Sequence, residues 1–210
     1  MKKISYYLLA FISVAAGMIG FNYYSTPLPA PEHALYYQQP RAIQPFVFID
    51  HNNKPFTQAQ LTDKWSLVFM GYTSCPDVCP TTLQNLHFIY DDILAITEKS
   101  QVLFVTSDPK RDNIEKLKLY INYFNKDFRA LRADHDVLYP FSRNLGLMYA
   151  IDATSNEDIE YGVDHSASIV LINPKGKVAA IFKPEHAVGE VPVINNDKLL
   201  IDFQRIVALY

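Results

Sequence analysis

Trp65-Ser66-Leu67-Val68-Phe69-Met70-Gly71-Tyr72-Thr73-Ser74-Cys75-Pro76-Asp77-Val78-Cys79-Pro80 contains both cysteines of a 210-residue chain. Its first six residues are an apolar run suited to a buried strand, and Gly71 to Ser74 read as a turn. Helical spacing follows. Leu83, Leu86, Tyr90, Ile93 and Leu94 recur on one face, which predicts a helix running to about residue 99. Two thiols at the mouth of a helix, with no other cysteine to pair with, are either a redox pair or two ligands of a soft metal.

Outward from this motif, strands and helices alternate. Short strands are expected over 46–49, 102–106 and 128–132. Asp112-Asn113-Ile114-Glu115 reads as a capping box opening a helix with Leu117, Tyr120, Ile121 and Phe124 inward. A helix around 141–145 follows, with Pro140 tolerable only in its first turn. Residues 169–172 and 178–182, joined by Asn173-Pro174-Lys175-Gly176, form a hairpin, and an amphipathic helix over 199–209 closes the chain. The pattern predicts an α/β fold of the thioredoxin-like, three-layer kind, with a mostly parallel central sheet and a C-terminal hairpin.

The first 45 residues read differently. Lys2 and Lys3 precede an uncharged stretch over 4–21, followed by Tyr23 and Tyr24. A spanning helix needs about 20 apolar residues, and the lysines favour a cytoplasmic N-terminus. Residues 1–25 are therefore expected to be a transmembrane anchor. The alternative is a cleaved signal sequence, for which Ser25-Thr26-Pro27 is a poor cleavage site. Residues 26–45 hold Pro27, Pro29, Pro31, Pro40 and Pro45 and read as an extended spacer. The globular domain is then 46–210. A net charge of −3 leaves no basic stripe for phosphates, so nucleic acid is excluded as a partner.

Three residues separate Cys75 from Cys79, against two in thioredoxin-type enzymes. If both are helical, their Cβ atoms stand about 5–6 Å apart, beyond the roughly 3.8 Å that a disulfide prefers. Such a pair closes with distortion but holds a soft ion without any. Of the histidines, His33 and His51 read as solvated and His87 as too far along its helix. His165, in Val163-Asp164-His165-Ser166-Ala167 before a buried strand, is either a third ligand or a satisfied loop residue. Asp164 would orient its ring, and Asp77 stands between the cysteines as a supporting residue or a helix cap. Two thiolates and an imidazole suit copper, whereas structural zinc would want a fourth protein ligand.

The stretch from Lys64 to Pro80, together with Val105-Thr106-Ser107-Asp108-Pro109-Lys110-Arg111-Asp112 and Val163-Asp164-His165-Ser166-Ala167, closely resembles the motif regions of the Sco/SenC family. The similarity runs over about residues 46–182, with Ser74 where relatives often carry histidine and Asn53 where a turn glycine is common. These are membrane-anchored, thioredoxin-like copper chaperones for cytochrome c oxidase assembly. The resemblance implies that Cys75, Cys79 and His165 bind one copper ion, Cu(I) or Cu(II). It implies delivery to the binuclear copper centre of oxidase subunit II, or to another copper-accepting protein. It leaves Asp108 as the shaper of a turn. The N-terminus lacks an organellar presequence, which points to a bacterial inner membrane with the domain in the periplasm.

A second reading makes Cys75 and Cys79 a redox-active disulfide in a thiol-disulfide reductase that keeps the target's cysteines reduced, with a thioredoxin-like reductant upstream. Against a general oxidoreductase, Asp164-His165-Ser166-Ala167 stands where such enzymes usually carry a cis-proline. A peroxidase fits worst, because Trp65, the only tryptophan, reads as core.

Overall fold

The computed structural model describes residues 2–24, 29–151, 161–185 and 191–210. In chain order the elements are helix α1 (Lys2–Tyr24), strands β1 (Leu35–Ala42), β2 (Phe48–Asp50), β3 (Pro55–Phe56) and β4 (Trp65–Gly71), then helices α2 (Val78–Phe88) and α3 (Tyr90–Ile96). Strand β5 (Ser100–Thr106), helix α4 (Ile114–Phe124), strand β6 (Arg129–Arg132) and helix α5 (His135–Leu145) follow. The chain ends with β7 (Tyr149–Ile151), β8 (Val163–His165), β9 (Ile169–Ile172), β10 (Lys177–Phe182) and α6 (Asn196–Leu209).

Every residue of β4 and β5 is buried, because helices cover both faces of the sheet they centre. Side chains alternate across a strand. Leu67 and Phe69 of β4, with Val102 and Phe104 of β5, pack under α2, α3, α4 and α6. Val68, Met70, Leu103 and Val105 pack under α5 through Leu138, Phe141 and Leu145. The result is the expected three-layer, thioredoxin-like α/β arrangement.

The sheet itself departs from expectation. Its order is β1-β10-β9-β4-β5-β6-β2-β3. Among the described residues only β4–β5 and β5–β6, the pairs joined by helical crossovers, are parallel. The C-terminal hairpin and the early strands add antiparallel neighbours at both edges, so the sheet is mixed rather than mostly parallel. Strands β7 and β8 form a separate antiparallel pair that carries His165.

The stretch read as a spacer is partly built into the body. Strand β1 pairs with β10, with Pro40 inside an irregular part of the register, as befits a residue without an N–H on an edge strand. Just before it, the backbone N–H groups of Glu32, His33 and Ala34 all donate to the Asp202 carboxylate, at 3.0, 2.6 and 2.7 Å. Among the described residues, no helix is long and apolar enough to cross a membrane.

Local details also differ. The helix expected to run unbroken to about 99 divides at Ile89 into α2 and α3, which lets Tyr90 pack its ring on Phe128 at 5.1 Å. Helix α5 begins at His135, so Pro140 lies inside it rather than in its first turn. Burial of Leu138 and the His135–Tyr149 hydrogen bond (2.8 Å) hold the early turns, and Pro140 itself is exposed. The cap of α4 is Asn113, whose side chain accepts from the Lys116 N–H. Asp112, expected to cap, instead points into the core.

Candidate metal centre

The end of β4 delivers the motif to the C-terminal edge of the sheet, where ligands gather in open α/β folds. Cys75 lies in the turn before α2 and Cys79 in its first turn, so the pair is not helical throughout as the spacing argument supposed. The Cys79 N–H donates to Cys75 Sγ at 3.4 Å. Asp77 occupies the N-cap position but makes no side-chain cap. Its backbone, not its carboxylate, serves Cys75.

His165 comes from the other side, on β8. Its Nε2 stands 3.2 Å from Cys79 Sγ and 3.9 Å from Cys75 Sγ. The three ligand atoms lie within 4.8 Å of one another, and both cysteines are free. A carbonyl oxygen can only accept. The Nδ1 contact with Ser166 O at 3.3 Å therefore has Nδ1–H as its donor, and it turns Nε2 toward the sulfurs. Ser166, not the exposed Asp164, thus provides the orienting hydrogen bond. The imidazole stands edge-on between Phe69 and Tyr72, each with its centroid 5.9 Å away.

The thiols are unequal. Cys75 is pulled down to about 4, chiefly by the hydrogen bond from the Cys79 thiol. Burial opposes this, while the His165 ring and then the backbone N–H groups of Cys79 and Asp77 add to it, the latter as expected at a helix start. Cys79 is fully buried, which together with the neighbouring Cys75 sulfur pushes its thiol up. The pair is poised as one thiolate and one thiol.

This donor set fits a soft metal. With metal–sulfur and metal–nitrogen bonds of about 2.3 and 2.0 Å, ligands sharing an ion stand roughly 3.5–4 Å apart; the Cys75 sulfur, 3.9 Å from Nε2, already meets this, and the Cys79 sulfur, at 3.2 Å, needs only a small move outward. A cleft of about 570 Å³, lined by Cys75, Val78, Val163, His165, Lys183 and Pro184 among others, opens the site to solvent.

The other histidines lie elsewhere. His51, expected to be solvated, is buried and accepts from the Ala130 N–H at 3.0 Å. His87 contacts Asn125, His135 contacts Tyr149, and the His33 backbone is held by Asp202. His186 lies outside the described residues.

Sequence reasoning missed the floor beneath the site. Asp112 accepts from the Thr73 N–H (3.0 Å), the Thr73 hydroxyl (2.5 Å) and the Thr106 hydroxyl (2.6 Å), fastening the loop that leads to Cys75. Asp108 also shapes its turn, accepting from the Arg111 N–H at 3.4 Å, but in addition takes the Tyr161 hydroxyl at 2.6 Å. Threonines and aspartates clustered at a buried strand's end were the available signal.

The SCO1/SenC family profile matches residues 36–193. The chain belongs to the SCO1/SenC family. It is 36% identical over 139 residues to a candidate copper-binding protein of Stutzerimonas stutzeri, covering 66% of this chain and 67% of that one. The crystal structure of Arabidopsis thaliana ScoI with copper bound superposes with a TM-score of 0.70 at 25% identity, over 80% of this chain and 99% of that one. The solution structures of apo Sco1 from Thermus thermophilus give a TM-score of 0.70 at 28% identity, over 85% and 96%.

Proposed function

We propose that this SCO1/SenC protein is a copper metallochaperone that holds one copper ion through Cys75, Cys79 and His165. The carrying observation is the convergence of two free thiols and an imidazole, its Nε2 turned toward them, within 4.8 Å. Cys75, already ionised and half-exposed in the cleft, is the entry ligand. Cys79, buried and still protonated, gives up its proton as the cargo is taken. Three protein donors and an open cleft favour release, because an acceptor's sulfurs can approach the ion and exchange with these ligands one at a time.

The acceptor implied by the family resemblance is the binuclear copper centre of cytochrome c oxidase subunit II. The compartment is the bacterial periplasm, and the tether is residues 1–25. That tether rests on sequence alone, on Lys2, Lys3 and the uncharged stretch after them. The reductase reading keeps one support, the low-pKa Cys75 beside a second thiol, and would need a thioredoxin-like reductant to reopen the pair.

Transfer decides between them. The copper(I)-loaded chain is mixed with the metal-free, reduced copper-centre domain of an oxidase subunit II, the two are separated, and copper is counted in each. Movement of copper to the domain supports delivery; retention refutes it. Presenting the same domain with its cysteines oxidised tests the second reading, which requires reduction of the domain coupled to oxidation of Cys75 and Cys79.

A further inference from the structure

The cysteine loop and the histidine strand reach the site from different parts of the fold, and the segment after β5 touches both. Asp112 ties down Thr73 on the cysteine side. Asp108, fully buried, takes the Tyr161 hydroxyl on one carboxylate oxygen and the Arg111 Nε–H on the other. The two aspartates are joined through Thr106, whose hydroxyl donates to Asp112 and accepts from the Asp108 N–H at 3.0 Å. The Arg111 guanidinium lies over the Tyr161 ring at 3.8 Å and near the Tyr72 ring at 5.6 Å. Tyr72 in turn meets the His165 imidazole edge-on.

Tyr161 stands four residues before His165, at the entry to β8. Among the described residues strand β8 pairs only with β7, outside the main sheet, so the ladder that orders the core does not fix its distance from Cys79. A phenol donating to a buried, charged acceptor is among the stronger neutral-donor hydrogen bonds, and stacking on the guanidinium restrains the ring in a second direction.

We infer that Tyr161 is a positioning residue for His165, latched to the body of the protein by the Asp108–Arg111 pair, and that this latch sets how firmly the chain holds copper. The inference rests on the three-ligand reading above. It differs from a plain structural ion pair in one respect: loosening Tyr161 moves the imidazole, not merely the unfolding midpoint.

Tyr161→Phe keeps the ring under Arg111 and removes one hydrogen bond. In the reduced, metal-free chain, NMR reads the His165 ring protons, which the edges of Phe69 and Tyr72 displace from free-peptide values. The expected result is a shift toward those free values, with copper(I) affinity by chelator competition falling about 10-fold, the lower end for residues that support a ligand. Asp108→Asn, the reciprocal change, moves both readouts the same way, and Tyr161→Phe adds nothing to affinity in a His165→Ala background. A Tyr161→Phe chain with wild-type His165 shifts and unchanged affinity, while His165→Ala still weakens copper, overturns the latch alone. If His165→Ala leaves copper(I) affinity unchanged, both the three-ligand reading and the latch's effect on copper are overturned.

Discussion

Gly71 closes β4 beneath the site, and replacing it with alanine tests how the strand sets the position of a sulfur. A Cβ at this position would stand 2.6 Å from Cys79 Sγ, 3.0 Å from Phe104 Cε2 and 3.3 Å from Phe69 Cε1. Comfortable contacts lie near 3.5–4.0 Å, so the sulfur must retreat by about 1 Å. Cys79 is fully buried and has one side-chain torsion; turning it carries Sγ away from the His165 Nε2 that stands 3.2 Å off. Overpacking of this kind costs about 1–3 kcal/mol. Urea unfolding of the reduced, metal-free chain should therefore show Gly71→Ala less stable by about 1–3 kcal/mol. In a Cys79→Ala background the closest contact is gone, and the same change should cost less than about 1 kcal/mol. Copper(I) affinity of Gly71→Ala should fall by at least about 10-fold, the lower end for disturbing a ligand's supports. An equal stability cost in both backgrounds would refute the reasoning, since the strain would then not pass through the sulfur.

Asp112→Ala leaves the Thr73 N–H without its buried acceptor and should destabilise the chain by about 3 kcal/mol; Asp112→Asn, which keeps the shape, should cost about half as much. Lys116, 3.6 Å away and half-exposed, adds little. An Asp112→Ala chain unfolding at the wild-type urea midpoint would contradict this. With its pKa near 4, Cys75 is already a thiolate at pH 6, so its alkylation rate in the reduced, metal-free chain should be nearly flat from pH 6 to 8. An ordinary thiol would speed up on the order of 50- to 100-fold over that range, and such a rise would show that Cys75 is not activated. Asp202→Ala removes the acceptor for the three N–H groups before β1 and should strip hydrogen-exchange protection from residues 32–42. Unchanged protection there would mean that pairing with β10 alone holds the strand.

The fold was legible wherever local pattern and final environment agree. The apolar runs of β4, β5 and β9, the hairpin turn closed by Gly176 (φ +68°) and the stripe of α6 follow from strand alternation, turn chemistry and helical period. Edge strand β1 was not, because Pro40 and the prolines flanking the strand argue for a spacer and its ladder partner lies some 140 residues away. The direction of the sheet was misjudged for a related reason: helical crossovers are visible in sequence, but the antiparallel strands added beyond them are not.

At the site, Cys75 and Cys79 stood out because few residue types can hold a soft metal, while His165 stayed open on spacing alone and was singled out by the family resemblance of Val163-Asp164-His165-Ser166-Ala167. Their supports did not. Asp112 matches a cap by local spacing, yet Thr73 and Thr106, which claim it, are reached only through the tertiary structure. Asp164 was the sequence neighbour best suited to orient the ring, but its side chain is exposed while the Ser166 carbonyl lies within reach of Nδ1.

In the proposed site, two sulfurs and one histidine nitrogen hold the copper. X-ray absorption at the copper edge, on the reduced chain loaded with one equivalent of copper(I), tests it most directly. Scattering from two sulfurs and one imidazole is expected, with the imidazole signal lost in His165→Ala and one sulfur lost in Cys79→Ala. A wild-type spectrum with no imidazole contribution, or one that His165→Ala leaves unchanged, would contradict it.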